Sequence, residues 1–111
     1  MKSPFILYEE DITQINELCL TLHQQAITRA VFLVDKDGQL ISEQGDTSAI
    51  DATALASLTA GVIAAAGGLA KLLGEEEFPV QLHEGARESI HTSLVAERFI
   101  FVLIFDERSS L

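Results

Sequence analysis

The sequence predicts one mixed α/β (α+β) domain, with its elements ordered α-β-β-α-β-β-β along 111 residues. Three observations predict it. The stretch from Asp51 to Leu73 keeps a helical period and holds no charged residue between Ala52 and Ala70. Two continuous apolar runs, Ala30 to Asp35 and Phe99 to Phe105, have the length and β-branched or aromatic content of strands covered on both faces. Shorter alternating segments separated by turn residues supply the remaining strands.

Glu9 to Ile27 is expected to form the first helix, with Ile12, Ile15, Leu18, Leu22 and Ala26 on one buried stripe. Asp11 and Gln14 resemble a capping box, and the acids Glu9-Glu10-Asp11 suit the positive end of the helix dipole. Phe5, Ile6 and Leu7 ahead of it are a candidate staple or docking arm. Asp35-Lys36-Asp37-Gly38 is a turn between the first apolar strand and a more polar edge strand, Gln39 to Gln44. Phe78, Val80 and Leu82 alternate with Pro79, Gln81 and His83 as a half-buried strand, which Pro79 places at an edge. Arg87 to Val95 alternates again, with Ile90 and Leu94 turned towards apolar cover, before the last apolar strand.

The long helix organises the rest. Asp51 is a natural N-cap, and Lys71 and Gly74 mark the C-terminus. One stripe carries Leu55, Leu58, Val62, Ala66, Leu69 and Leu73 and is the expected core face. The opposite stripe reads Thr53, Ala56, Ser57, Ala60, Ala64, Gly67 and Lys71, with Gly61 and Gly68 on its shoulder. A solvated helix face normally carries long polar side chains. Each helix glycine costs on the order of 1 kcal/mol against Ala, so another backbone approaching closely is the expected compensation. The alternative is a kink at Gly67-Gly68 with no partner.

Composition narrows the function. A hydrophobic fraction of 48% is that of a globular domain, and 111 residues suffice for one core. The net charge of −10 argues against nucleic-acid or anionic-membrane partners. A single cysteine, Cys19, excludes an internal disulfide framework and points to the cytoplasm. The apolar run before Glu9 is too short for a signal peptide. The long helix has membrane-spanning length, yet Ala, Gly, Ser and Thr supply most of it, which argues against membrane insertion.

Catalytic and metal chemistry is not suggested. In EF-hand register the turn would place Leu33 first and Gln44 twelfth, neither a calcium ligand of the required kind. His23, His83 and His91 are scattered and read as surface histidines, and Cys19 reads as a packed thiol. No phosphate-binding glycine loop is present, and Asp106-Glu107 has no acid–base partner, so no enzyme, cofactor or metal is expected.

Several segments carry a resemblance. These are LYEED (Leu7–Asp11) with Ile15-Asn16, LVDKDG (Leu33–Gly38), Ala60-Gly61, LAKLLGE (Leu69–Glu75), FPVQLHEG (Phe78–Gly85) and VLIFDE (Val102–Glu107). Together they make the chain similar to the roadblock/LC7 family, most closely its bacterial MglB branch. The resemblance implies a profilin-like α/β/α sandwich around a five-stranded antiparallel sheet in the order 2-1-5-4-3. It also implies a homodimer through the long helix and the third strand, Val80, Gln81, Leu82 and His83. It further implies a Ras-like small GTPase partner (MglA-like) docking on the paired long helices, with a role in cell polarity or motility. The protein would then modulate the nucleotide cycle, as GTPase activator or exchange modulator, without an arginine finger. The alternative function is a structural or scaffold dimer without effect on nucleotide turnover. Family members usually add a last helix, whereas only Arg108-Ser109-Ser110-Leu111 follow the closing VLIFDE segment. Apolar sheet surface beside the first helix, with Ile90 and Leu94, is therefore expected to await another chain.

Overall fold

The two apolar runs lie side by side as antiparallel strands at the middle of one sheet. A computed structural model describes residues 9–26 and 28–106. Its elements are α1 (Glu9–Ala26), β1 (Ala30–Asp35), β2 (Leu40–Gly45), α2 (Ala52–Leu72), β3 (Val80–Glu84), β4 (Ser89–Val95) and β5 (Phe99–Phe105). The sheet is antiparallel throughout, in the order β2-β1-β5-β4-β3, as expected. Both edge assignments hold, and β4 starts at Ser89 instead of Arg87.

Alternation along β1 builds the two layers. Ala30, Phe32 and Val34 join Ile100, Val102 and Ile104 under Ala56 and Ile63 of α2. Val31 and Leu33 turn to the other face and meet Cys19 of α1, with Phe99, Phe101 and Leu103 packed beside them. All six residues of β1 are buried, which is why that run carries no polar alternation. Phe32 is fully buried, so Phe32→Ala is expected to cost about 3–5 kcal/mol through the cavity left behind. Urea unfolding measures it, and a loss below about 1 kcal/mol would contradict this core.

Turns close the hairpins by identifiable means. Gly38, at φ +95°, donates to the Asp35 carbonyl at 2.8 Å, while the Asp35 carboxylate accepts from the Asp37 amide at 2.8 Å. Ala96 and Glu97 both take positive φ, the handedness that matches the twist of flanking strands.

Three expectations need correction. Leu18 is half exposed, and Cys19 next to it takes the buried position on α1; the side chains of Ile12, Ile15, Leu22 and Ala26 lie outside the described set. Val80 and Leu82 are 54% and 50% exposed, because β3 has no strand beyond it and no described residue covers them. Ile90 and Leu94 face α2, since their register partners Ile104 and Ile100 do. The sheet surface beside α1 instead shows Phe99, Phe101 and Leu103, only half-buried, with Val80 and Leu82 further out.

Candidate interaction surface

α2 is fully capped at both ends. The Asp51 carboxylate accepts from the Ala54 amide at 3.0 Å, closing the first turn. At the other end Gly74 takes φ +76°, the Gly74 amide reaches the Lys71 carbonyl, and the Glu75 amide reaches the Ala70 carbonyl. That pair of bonds is a Schellman motif. Gly67 and Gly68 both lie within the one helix that runs from Ala52 to Leu72.

The face that α2 buries is rotated from the expected one, sharing Ala66 with it and keeping Leu55 packed at its margin. Ala56, Thr59, Ile63, Ala66 and Ala70 point into the sheet. Leu58, Leu69 and Leu73 of the expected core stripe are 71%, 59% and 73% exposed, with Leu72 at 82%. The reason is steric. Phe32, Ile100 and Val102 fill the space under the helix together with Ala56 and Ile63, and a small side chain such as Ala56 fits over them. Side-chain size alone does not mark the core face: Ala56, Ala66 and Ala70 are buried beside Ile63, while Leu58 and Leu69 are exposed.

Of the expected contact stripe, Ala56 is fully buried under the helix and is withdrawn as a contact residue. Ala60 is half-buried, and with Ser57 it underlies the β1–β2 turn: a Cβ on Gly38 would lie 3.6 Å from Ser57 Cα and 3.7 Å from Ala60 Cβ. The backbone approaching there belongs to the chain itself. Thr53, Gly61, Ala64, Gly68 and Lys71 are exposed, and Gly67 is half-buried. A Cβ built on Gly61, Gly67 or Gly68 would meet nothing within 4 Å. Among the described residues, therefore, nothing requires glycine at these three positions. Gly61→Ala is expected to stabilise the unbound chain by about 1 kcal/mol. A lowered melting temperature would show that the space beside the helix is already occupied.

At about 100° per residue, the exposed leucines and the small residues flank the buried face on opposite sides. Beside the leucines, α2 and the β3–β4 hairpin leave an open groove of about 530 Å³, walled by Leu55, Leu58, Val62, His83, Ile90 and Thr92. At the sheet edge Val80 and Leu82 are half exposed, His83 is exposed, and Gln81 donates to the Phe78 carbonyl at 3.3 Å. The sequence does not predict this groove, because only the crossing of helix and hairpin brings Leu58 and His83 together.

Cys19 is fully buried; burial pushes its thiol up, against a smaller opposite pull from a hydrogen bond with Ser42. His23 is half-buried, not on the surface, with Nδ1 3.0 Å from Thr28 Oγ1. Among the described residues no three His, Cys, Asp or Glu side chains gather as metal ligands. α2 has the length and hydropathy of a membrane-crossing helix. Its buried face, however, completes the domain core, and leaving the sheet would strip Phe32 and Val102 of cover.

Comparison with known proteins gives one consistent answer. Residues 14–105 match the Roadblock/LC7 domain. Myxococcus xanthus MglB is 56% identical over 96% of this chain and 80% of its own, with a TM-score of 0.89. The gliding protein MglB from Thermus thermophilus is 28% identical over 99% of this chain and 84% of its own, at a TM-score of 0.80. An MglB with a tetrameric arrangement is 28% identical over 100% of this chain and 84% of its own, at a TM-score of 0.81. No curated protein matches.

Proposed function

We propose, from the premise that the chain belongs to the roadblock/LC7 family and to its MglB-like branch, that it is a homodimeric regulator of a Ras-like small GTPase. It alters the partner's nucleotide cycle by binding. The single observation that carries this reading is α2, a long helix with exposed leucines on one flank and unoccupied glycines on the other. The two flanks take two different partners. Leu58, Leu69 and the groove beside them pack on the same flank of a second copy. The free edge of β3 pairs with its equivalent there, extending five strands to ten. Gly61, Ala64 and Gly68 of both copies then form the platform on which the GTPase rests.

Mixing the protein with a Ras-like GTPase and following phosphate release and nucleotide exchange tests this. A change in either rate, with a complex of two chains per GTPase, is expected. Binding that leaves both rates unchanged would assign a scaffold role instead. Cytoplasmic location belongs to the same proposal and rests on the lone cysteine, Cys19, while a part in polarity or motility rests on the MglB likeness.

A further inference from the structure

A second notch lies on the small-residue flank of α2, away from the leucine groove. It measures about 320 Å³ and is lined by Ala64, Gly67, Gly68, Lys71, by Lys36 of the β1–β2 turn, and by Glu76 and Glu77 of the loop leading to β3. The charges are the informative part. The chain has only seven Lys and Arg against seventeen Asp and Glu. Two of the arginines are spoken for: Arg29 is bound by Glu88 and lies 3.7 Å from Asp46, and Arg98 lies 3.6 Å from Asp35. Lys36 and Lys71 are both exposed, and among the described residues neither is held in an ion pair, although two glutamates line the same notch. They are 35 positions apart in sequence (71 − 36) and line one notch, the Gly38 turn lying against Ser57 and Ala60.

We propose that this notch is the charge-reading part of the GTPase platform. It takes a protein segment carrying an acidic side chain towards Lys36 and Lys71 and a basic one towards Glu76 and Glu77. The proposal rests on the GTPase reading above and adds the chemistry of the partner's contact segment. A protein backbone fits because Gly67 and Gly68 leave open space where side chains would stand. A free polyphosphate fits poorly, since the chain as a whole carries −10 and two carboxylates share the notch. Paired charges of this kind fix register and exclude wrong partners more than they add affinity. A misaligned segment would set like charges against each other on both walls.

The test is charge reversal on exposed residues. Lys36→Glu combined with Lys71→Glu should leave circular dichroism and dimer mass unchanged. It should weaken binding to the Ras-like GTPase by roughly tenfold or more and flatten the dependence of binding on salt. Reversing the sign of the matching acidic residue on the GTPase should restore binding to the doubly reversed protein. Ala64→Arg serves as the reference. If it abolishes binding while the double lysine variant binds within about twofold of the wild type, the platform stands and the charged notch is wrong. Binding of GTP alone to the notch, lost in the lysine variant, would also overturn the protein-segment assignment. A wild-type chain that binds no Ras-like GTPase overturns both the notch and the functional reading.

Discussion

Leu58→Asp is expected to convert the dimer into a folded monomer of 12.1 kDa, seen by light scattering at micromolar concentration. Leu58 is 71% exposed within one chain, so a charge there keeps its water and should cost the isolated fold no more than about 0.5 kcal/mol. In the dimer the same carboxylate would be buried without a partner, which costs several kcal/mol, on the order of the whole free energy of a modest interface. The sharpest contrast is with Ile63, a little more than one helical turn further along and 5% exposed. Ile63→Asp is expected to unfold the chain outright, because its charge would enter the sheet-facing core. Leu58→Ala should be nearly silent in monomer stability, against the roughly 2–5 kcal/mol typical of a buried leucine. If Leu58→Asp stays dimeric, or unfolds like Ile63→Asp, the leucine flank is not the dimer surface.

Ala64→Arg is expected to leave the native circular dichroism and the dimer intact while abolishing GTPase binding. Arginine ranks close behind alanine in helix propensity, and Ala64 is exposed, so the fold has little reason to notice. The side chain would project from the small flank between Gly61 and Gly68, where a partner backbone needs the room. Because the leucines occupy the opposite flank, the dimer should survive, and the two substitutions separate the two partners. A loss of at least about a hundredfold in affinity is the scale expected, since a guanidinium wedged between backbones removes the contact instead of trimming it. Measured by titration calorimetry, an unchanged affinity would leave the helix glycines without explanation.

Element identity was well legible in the chain. The uncharged helix, its Asp51 cap and Gly74 stop, the two apolar strands and the two polar edges all appear where periodicity and turn chemistry put them. The sheet order came from the resemblance, through LAKLLGE and VLIFDE, and not from the pattern of residues. The candidate site was only half legible. The small stripe was recognised as abnormal for a solvated face, yet Ala56 within it is core and Ser57 with Ala60 serves the Gly38 turn.

What the amino-acid sequence determines on its own is local: where hydrogen bonds start and stop, which segments suit a pleat, and that α2 has too little polar surface for a lone soluble helix. These are decided by neighbours three or four residues away, so a linear pattern contains them. Which face of α2 lies on the sheet is a different kind of fact. Both the leucine stripe and the alanine stripe are apolar, and hydrophobicity does not separate them. The packing of Ala56 and Ile63 against Phe32, Ile100 and Val102 does, and it leaves Leu58 and Leu69 turned out. The same non-local fit brings Lys36 beside Lys71 and places His83 opposite Leu58. Steric complementarity between residues distant in sequence exists only once the chain has folded, so no linear pattern contains it.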